Sequence, residues 1–281
     1  MTMNPILTSA IEWQERPGSG DVLVCLHGIG SMASTFDDLL AYLPTDLRVI
    51  CWNAPGYGKS EPLEAEWPLA EDYAAALASF CDSLGLGRVH ILGHSLGTLM
   101  GAAFATRYPE RVASLTLASC AQGRGTPRGG ALSEKDAQRL GDLEALGAQE
   151  FAAARAPRLV YAPERNPAIV SAVRSDMEKV TMPGYGQAVR MLASGDLAAD
   201  CTGVRARTSV IVGADDVVTP PAQSQAAFDA LGARVRGEYV LVPHAGHAIH
   251  RQAPAALAAV LVSTIGNALP EGDTAQLGDV R

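Results

Sequence analysis

Six short apolar runs rich in leucine and β-branched residues punctuate the chain, at 22–26, 47–52, 89–92, 112–118, 208–212 and 238–242. Several keep consecutive positions apolar, the pattern of strands covered on both faces in a parallel sheet. Alanine-rich stretches at 70–84, 96–108, 221–231 and 253–265 carry helical spacing between them. This alternation predicts an α/β fold with a mostly parallel central sheet, flanking helices and right-handed crossovers. One interval breaks the rhythm. From 121 to 203 no strand pattern occurs, and the opening QGRGTPRGGALSEKD gives way to helical patterning. Some ~80 residues are too many for a plain loop in a compact domain, so an inserted helical cap is expected there. The expected organisation is a core of 1–121 and 203–269, a cap of 122–202, and a polar, glycine-containing tail of 270–281.

Composition narrows the function classes. Of 281 residues, 48% are hydrophobic and 19% charged, enough for a real core and too apolar for a disordered chain. No apolar run approaches the ~20 residues of a membrane span. Lys and Arg number 22 against 30 Asp and Glu, a formal net charge of -8, the wrong balance for binding nucleic acid or an anionic membrane. Neither is an expected partner. Cys25, Cys51, Cys81, Cys120 and Cys201 are widely spaced, several within strand-like runs. They read as buried free thiols rather than as disulfides or a zinc site. No basic, apolar leader precedes Arg16, so a cytoplasmic protein is expected, with no metal and no cofactor. Whether copies associate as a homo-oligomer is left open by the sequence.

Candidate chemistry concentrates at strand ends. The run 89–92 leads into Gly93-His94-Ser95-Leu96-Gly97 and then a helical stretch. A serine hydroxyl is a poor nucleophile unless held where a base reaches it, and a sharp strand-to-helix turn does this at a backbone cost. The flanking glycines make room for the turn, and Gly97 and Gly101 let the helix lie close to the sheet. Upstream, the run 22–26 ends in His27-Gly28-Ile29-Gly30, a turn able to aim a backbone N–H into the same crevice. The amides of Ile29 and Leu96 are the expected oxyanion donors. His27 is read as holding its turn, and His94 as packing or bonding locally, off the elbow.

A serine nucleophile needs a base and an orienting acid. Among the 6 histidines, His90 lies in a strand-like run. His244 and His247 follow the last run in Val242-Pro243-His244-Ala245-Gly246-His247, where a side chain can fold over the carboxyl edge of the sheet. Gly246 allows a close approach, which makes His247 the expected base and His244 the reserve. The run 208–212 ends in Gly213-Ala214-Asp215-Asp216-Val217-Val218-Thr219-Pro220. Either aspartate can accept the imidazole Nδ1–H, and spacing alone does not choose between them. Open α/β sheets build their sites at these strand ends.

Over residues 4–267 the chain resembles the α/β-hydrolase superfamily. The likeness rests on the 26–30 turn, Asn53-Ala54-Pro55-Gly56-Tyr57-Gly58-Lys59-Ser60, Gly93-His94-Ser95-Leu96-Gly97, the 213–220 loop and Gly246-His247. It implies an α/β-hydrolase fold and a triad of Ser95, Asp216 and His247 in that chain order. Asp216 is preferred over Asp215 because the family's acid usually stands three residues after the strand-ending glycine. Serine at the elbow departs from the dehalogenases and epoxide hydrolases of this fold, which carry aspartate there.

Within the superfamily the chain looks most like 3-oxoadipate enol-lactonases, through 183–197, 210–216 and 219–222. It departs from them at His27-Gly28, where they often carry His-Ser, and Thr98 replaces a glycine often found after the elbow. The resemblance implies a serine hydrolase of a small-molecule carboxylic ester or lactone, with enol-lactone hydrolysis in aromatic-acid catabolism as one candidate. A C–C hydrolase of meta-cleavage dienoates is the alternative, and a non-catalytic ligand binder is disfavoured by the three intact triad positions. A carboxylate-bearing substrate would want a cation in the cap, where Arg124, Arg128, Arg155, Arg158, Arg165, Arg174 and Arg190 are available. Met177, Met182, Tyr185, Met191 and Leu192 would either line the cap's apolar surface or form its core.

Overall fold

The computed structural model describes residues 5–8 and 11–270, so nearly all of the expected tail lies outside the described residues. The strands are β1 (Pro5–Thr8), β2 (Ile11–Arg16), β3 (Val22–Leu26), β4 (Arg48–Trp52), β5 (Val89–His94), β6 (Val112–Ala118), β7 (Arg207–Gly213) and β8 (Arg236–Val242). They form one 8-stranded sheet in the order β1-β2-β4-β3-β5-β6-β7-β8. The β1–β2 and β2–β4 pairs are antiparallel and the remaining pairs parallel. The helices are α1 (Ala70–Ser83), α2 (Leu96–Arg107), α3 (Glu134–Arg155), α4 (Pro167–Met177), α5 (Gly184–Ser194), α6 (Leu197–Gly203), α7 (Pro221–Ala230), α8 (Ile249–Gln252) and α9 (Pro254–Gly266).

The central strands bury both faces. Val24, Leu26, Ile50 and Trp52 enter one core layer, whereas Leu23, Cys25, Val49 and Cys51 enter the other. Alternate residues thus point to opposite faces, and both faces are apolar because helices cover each. The cysteines follow this rule, all five being buried free thiols. Two strands escape the apolar-run pattern. In β2 the buried set includes Glu12, whose carboxylate accepts from Asn53 Nδ2 at 2.7 Å and from the Lys59 amide at 3.0 Å. A charge satisfied in this way is invisible to hydropathy. The 3-10 stretch Ala33–Tyr42 was likewise not anticipated, and α3 is broken at Gly147, where φ is 72°.

The nucleophile-bearing helix is set deepest. Every residue of α2 from Leu96 to Ala105 is buried, and a Cβ on Gly97 would fall on the carbonyl oxygen of Leu26 in β3. Small residues on this helix are therefore what lets it press against the sheet.

Between β6 and β7 the described residues form helices and no strand. The two ends of this stretch are clasped by backbone bonds, from Gly125 N to Gly195 O, Thr126 N to Ala193 O and Leu197 N to Gln122 O, each 2.9 Å. Helix α6 packs on α2 and α7, and Thr106 Oγ1 donates to Asp200 O at 3.0 Å. Farther out, Asp176 of α4 accepts from Ser34 Oγ at 2.8 Å and from Arg251 Nη2 at 2.7 Å. At the start of α5, Gly184 passes so close to Gly56 that a Cβ on it would overlap the Gly56 carbonyl oxygen. Gly184→Ala is expected to force α5 away from the 55–60 loop and cost about 1–3 kcal/mol, as overpacking does. Calorimetry should read this as a Tm several degrees lower.

Candidate active site

The sheet's carboxyl edge brings three distant segments together. Strand β5 runs straight into Ser95, whose φ of 54° and ψ of -116° put a non-glycine residue in a sparsely populated region. The surroundings hold it there. The Ser95 amide donates to Ala118 O at 2.9 Å, and Thr98 Oγ1 donates to Ser95 O at 2.5 Å. The Ser95 hydroxyl faces His247 Nε2 at 3.0 Å, and His247 Nδ1 faces Asp216 Oδ2 at 2.9 Å. All three residues are nearly inaccessible, at 5%, 4% and 3% exposure respectively.

Burial by itself would raise the Asp216 carboxyl. The charge and hydrogen bond of His247 and the amides of Thr219 and Val218 outweigh it and bring the group to about 2. Those amides both reach Oδ1 at 2.9 Å. Asp215, by contrast, is exposed. His244, the reserve base, is exposed too, and its Nδ1 meets Tyr161 Oη at 3.2 Å rather than the serine.

The turn after β3 packs directly over the elbow, so that a Cβ on Gly28 would lie 3.1 Å from Ser95 Cβ. Ile29 and Leu96 both line the space in front of the serine. The amide of Ile29 donates to no backbone carbonyl among the described residues, and that of Leu96 belongs to the first helical turn, which has no intrahelical acceptor. His27 holds the turn as expected, with Nδ1 at 2.8 Å from Gly28 O and Nε2 accepting from the Ala54 amide at 3.0 Å. Tyr57 Oη donates to Ile29 O at 2.7 Å from the other side. His90 pairs with Ser114 Oγ at 2.8 Å inside the sheet. His94 lies beside the cavity and its Nε2 bonds the His247 carbonyl at 2.8 Å.

Two participants were not anticipated. Thr219 Oγ1 lies 2.9 Å from Asp216 Oδ2 and 3.1 Å from His247 Nδ1. The signal was local: a threonine three residues after an aspartate closes a side-chain turn on it. His250 packs edge-on to His94 at 4.3 Å between ring centroids, with Nε2 at 2.6 Å from Thr35 Oγ1. Burial pulls His27 down to about 4, His94 to about 3 and His250 well below its ordinary value.

A cavity of about 330 Å³ opens above the serine, with floor from the core and roof from the inserted helices. Of the expected apolar lining, Met177, Tyr185 and Leu192 face it. Met191 is instead fully buried core, and Met182 is turned outward at 44% exposure. Of the expected arginines, Arg124, Arg155 and Arg158 face it, joined by Lys135 and Arg139, which the sequence reading did not single out. Arg128, Arg174 and Arg190 are spent on Asp72, Glu178 and Glu66.

Comparison with known proteins agrees with this architecture. The enol-lactonase from Burkholderia xenovorans LB400 superposes with a TM-score of 0.80 at 22% identity, covering 94% of this chain and 100% of that one. A thermophilic esterase from Thermogutta terrifontis gives 0.78 at 24% identity, over 93% and 97% of the two chains. At such identities the likeness is one of fold. In sequence, the (E)-2-((N-methylformamido)methylene)succinate hydrolase of Acinetobacter baylyi is 26% identical over 84% of this chain and 87% of its own. A 2-hydroxy-6-oxononadienedioate/2-hydroxy-6-oxononatrienedioate hydrolase of Burkholderia vietnamiensis is 34% identical over 111 residues, so the match spans only 38% of that relative's length. A family model described as the alpha/beta hydrolase fold matches residues 21–254, and the chain belongs to that family.

Proposed function

We propose that this chain is a serine hydrolase that cleaves a small-molecule carboxylic ester or lactone through an acyl-enzyme. The observation that carries the reading is the unbroken chain from Ser95 Oγ to His247 Nε2 at 3.0 Å and from His247 Nδ1 to Asp216 Oδ2 at 2.9 Å. His247 removes the hydroxyl proton as Ser95 attacks the carbonyl, Asp216 steadies the imidazolium, and the Ile29 and Leu96 amides receive the oxyanion. His247 then protonates the leaving alcohol or enol and activates the water that releases the acid. No cofactor enters this scheme. Five buried thiols accord with a reducing, cytoplasmic setting. Opening of an enol-lactone in aromatic-acid catabolism is the favoured reaction, in keeping with the likeness to the Burkholderia xenovorans enol-lactonase. The second reading is C–C hydrolysis of a dienoate, favoured by the name of the Burkholderia vietnamiensis relative.

Hydrolysis of 3-oxoadipate enol-lactone, of a short p-nitrophenyl ester and of a meta-cleavage dienoate by one preparation separates the two readings. Ser95→Ala is expected to lower kcat on the true substrate by about 10⁵–10⁶-fold with an unchanged circular dichroism spectrum. An unchanged rate would sink the mechanism.

Asp216→Asn leaves the shape but imposes the wrong histidine tautomer, and should cost about 10⁴ in kcat. It also has a stability signature. The folded carboxyl sits at about 2, below its ordinary 3.8. The stabilisation from its ionised form is therefore fully present above pH 3.8 and is lost as the pH falls through about 2. The shift corresponds to about 2 kcal/mol. Denaturant titrations should show wild type ahead of Asp216→Asn at pH 7, with the advantage shrinking as the pH approaches 2.

A further inference from the structure

The cavity wall is far more basic than the chain that builds it. The protein carries a formal net charge of -8, yet Arg124, Lys135, Arg139, Arg155 and Arg158 all line this one space and no aspartate or glutamate does. Two of the five are neutralised from behind: Arg124 by Asp136 at 2.7 Å and Arg155 by Asp142 at 2.8 Å. Lys135, Arg139 and Arg158 make no ion pair among the described residues.

Folding does not ask for this arrangement. Lys135 and Arg139 stand four residues apart on α3, the spacing at which like charges share a helix face and destabilise it. Partial burial, then the charges of Arg139, Arg124 and Arg158, hold the Lys135 amine below its ordinary value. Arg139 has its Nε shut off from solvent without a hydrogen-bond partner, and its charge acts on the hydroxyls of both Tyr57 and Tyr185. Tyr57 in turn holds the Ile29 carbonyl, one atom group away from the expected oxyanion amide. A cluster of cations that repel one another, facing a cavity that ends at a serine, is a site waiting for negative charge.

We propose that the substrate cleaved at Ser95 is an acid-bearing ester or lactone whose free carboxylate is held by Lys135, Arg139 and Arg158. This rests on the serine-hydrolase reading and names the substrate class and the residues that select it. Two guanidinium forks and an ammonium match the planar, two-oxygen geometry of a carboxylate. The carboxylate end points toward the α3 side of the cavity, and the scissile carbonyl toward the elbow.

The test compares kcat/KM for p-nitrophenyl butyrate, which is neutral, with that for mono-p-nitrophenyl glutarate, which ends in a carboxylate. Wild type should favour the glutarate ester, and the triple variant Lys135→Gln, Arg139→Gln, Arg158→Gln should lose on the order of 10–100-fold of that preference, chiefly through KM. Equal preference in the two proteins overturns the proposal. Binding supplies a readout that does not need turnover. By calorimetry, glutarate should bind the Ser95→Ala protein and fail to bind when the three cations are also replaced, whether or not the hydrolase reading survives. Indifference of glutarate binding to the cations, or tighter binding of inorganic phosphate than of glutarate, refutes the carboxylate site. Cation-dependent glutarate binding in a protein that turns over neither these esters nor the enol-lactone and the dienoate overturns the serine-hydrolase reading, and with it cleavage at Ser95, while the carboxylate site stands.

Discussion

The backbone of Ser95, held at φ 54° and ψ -116°, is the constraint to which the rest of the molecule answers. A non-glycine residue in such a region costs about 1–3 kcal/mol and persists only where neighbours over-determine it. Here they do. Helix α2 is buried throughout its first ten residues and lies against β3, because Gly97 has no side chain to keep them apart. Strand β6 takes the Ser95 amide through Ala118, and the turn after β3 closes over the hydroxyl side. The strain is sustained by packing rather than by any single bond. It projects the hydroxyl from the sheet edge toward His247, which has the Asp216 carboxylate behind it.

That selectivity among imidazoles is itself structural. Four histidines crowd the region, yet His27, His94 and His250 lose their affinity for protons mainly through burial, being driven below their ordinary values. Among the described residues none of the three has a carboxylate hydrogen-bonded to it. His94 places Nε2 on the His247 carbonyl, and His250 caps His94 in turn. They form a neutral, low-dielectric scaffold around His247, in which its hydrogen bond to Asp216 is less screened than it would be in water.

What the sequence disclosed, and what it hid, follows from how each feature earns its place. Strands β3 to β8 were readable because apolar residues or glycine turns mark them, and Ser95 and His247 because each stands in a glycine-bearing turn directly after a strand-like run. Strand β2 was hidden because its buried set contains Glu12, satisfied by Asn53 and the Lys59 amide. The choice between Asp215 and Asp216 depended on which of two adjacent side chains points inward, a matter of loop geometry that spacing does not encode. The cationic wall was only half legible. Along α3 the residues that meet the cavity mix Lys135, Arg139 and Arg155 with Phe151, so no purely apolar stripe announces which side of the helix faces it.

The clasp at the foot of the inserted helices has a consequence for how such a protein can change. Backbone bonds join 122–126 to 193–197, so the chain leaves the sheet and returns to it at one point, as if the intervening stretch were a hairpin. Lengthening a segment whose ends are already joined costs little, about 0.6 kcal/mol for each doubling. The intervening helices can thus vary in length at little cost where they do not touch the core. Ancestry can therefore be recorded in the sheet while diversification accumulates overhead, and two descendants with the same elbow need not share a single roof residue.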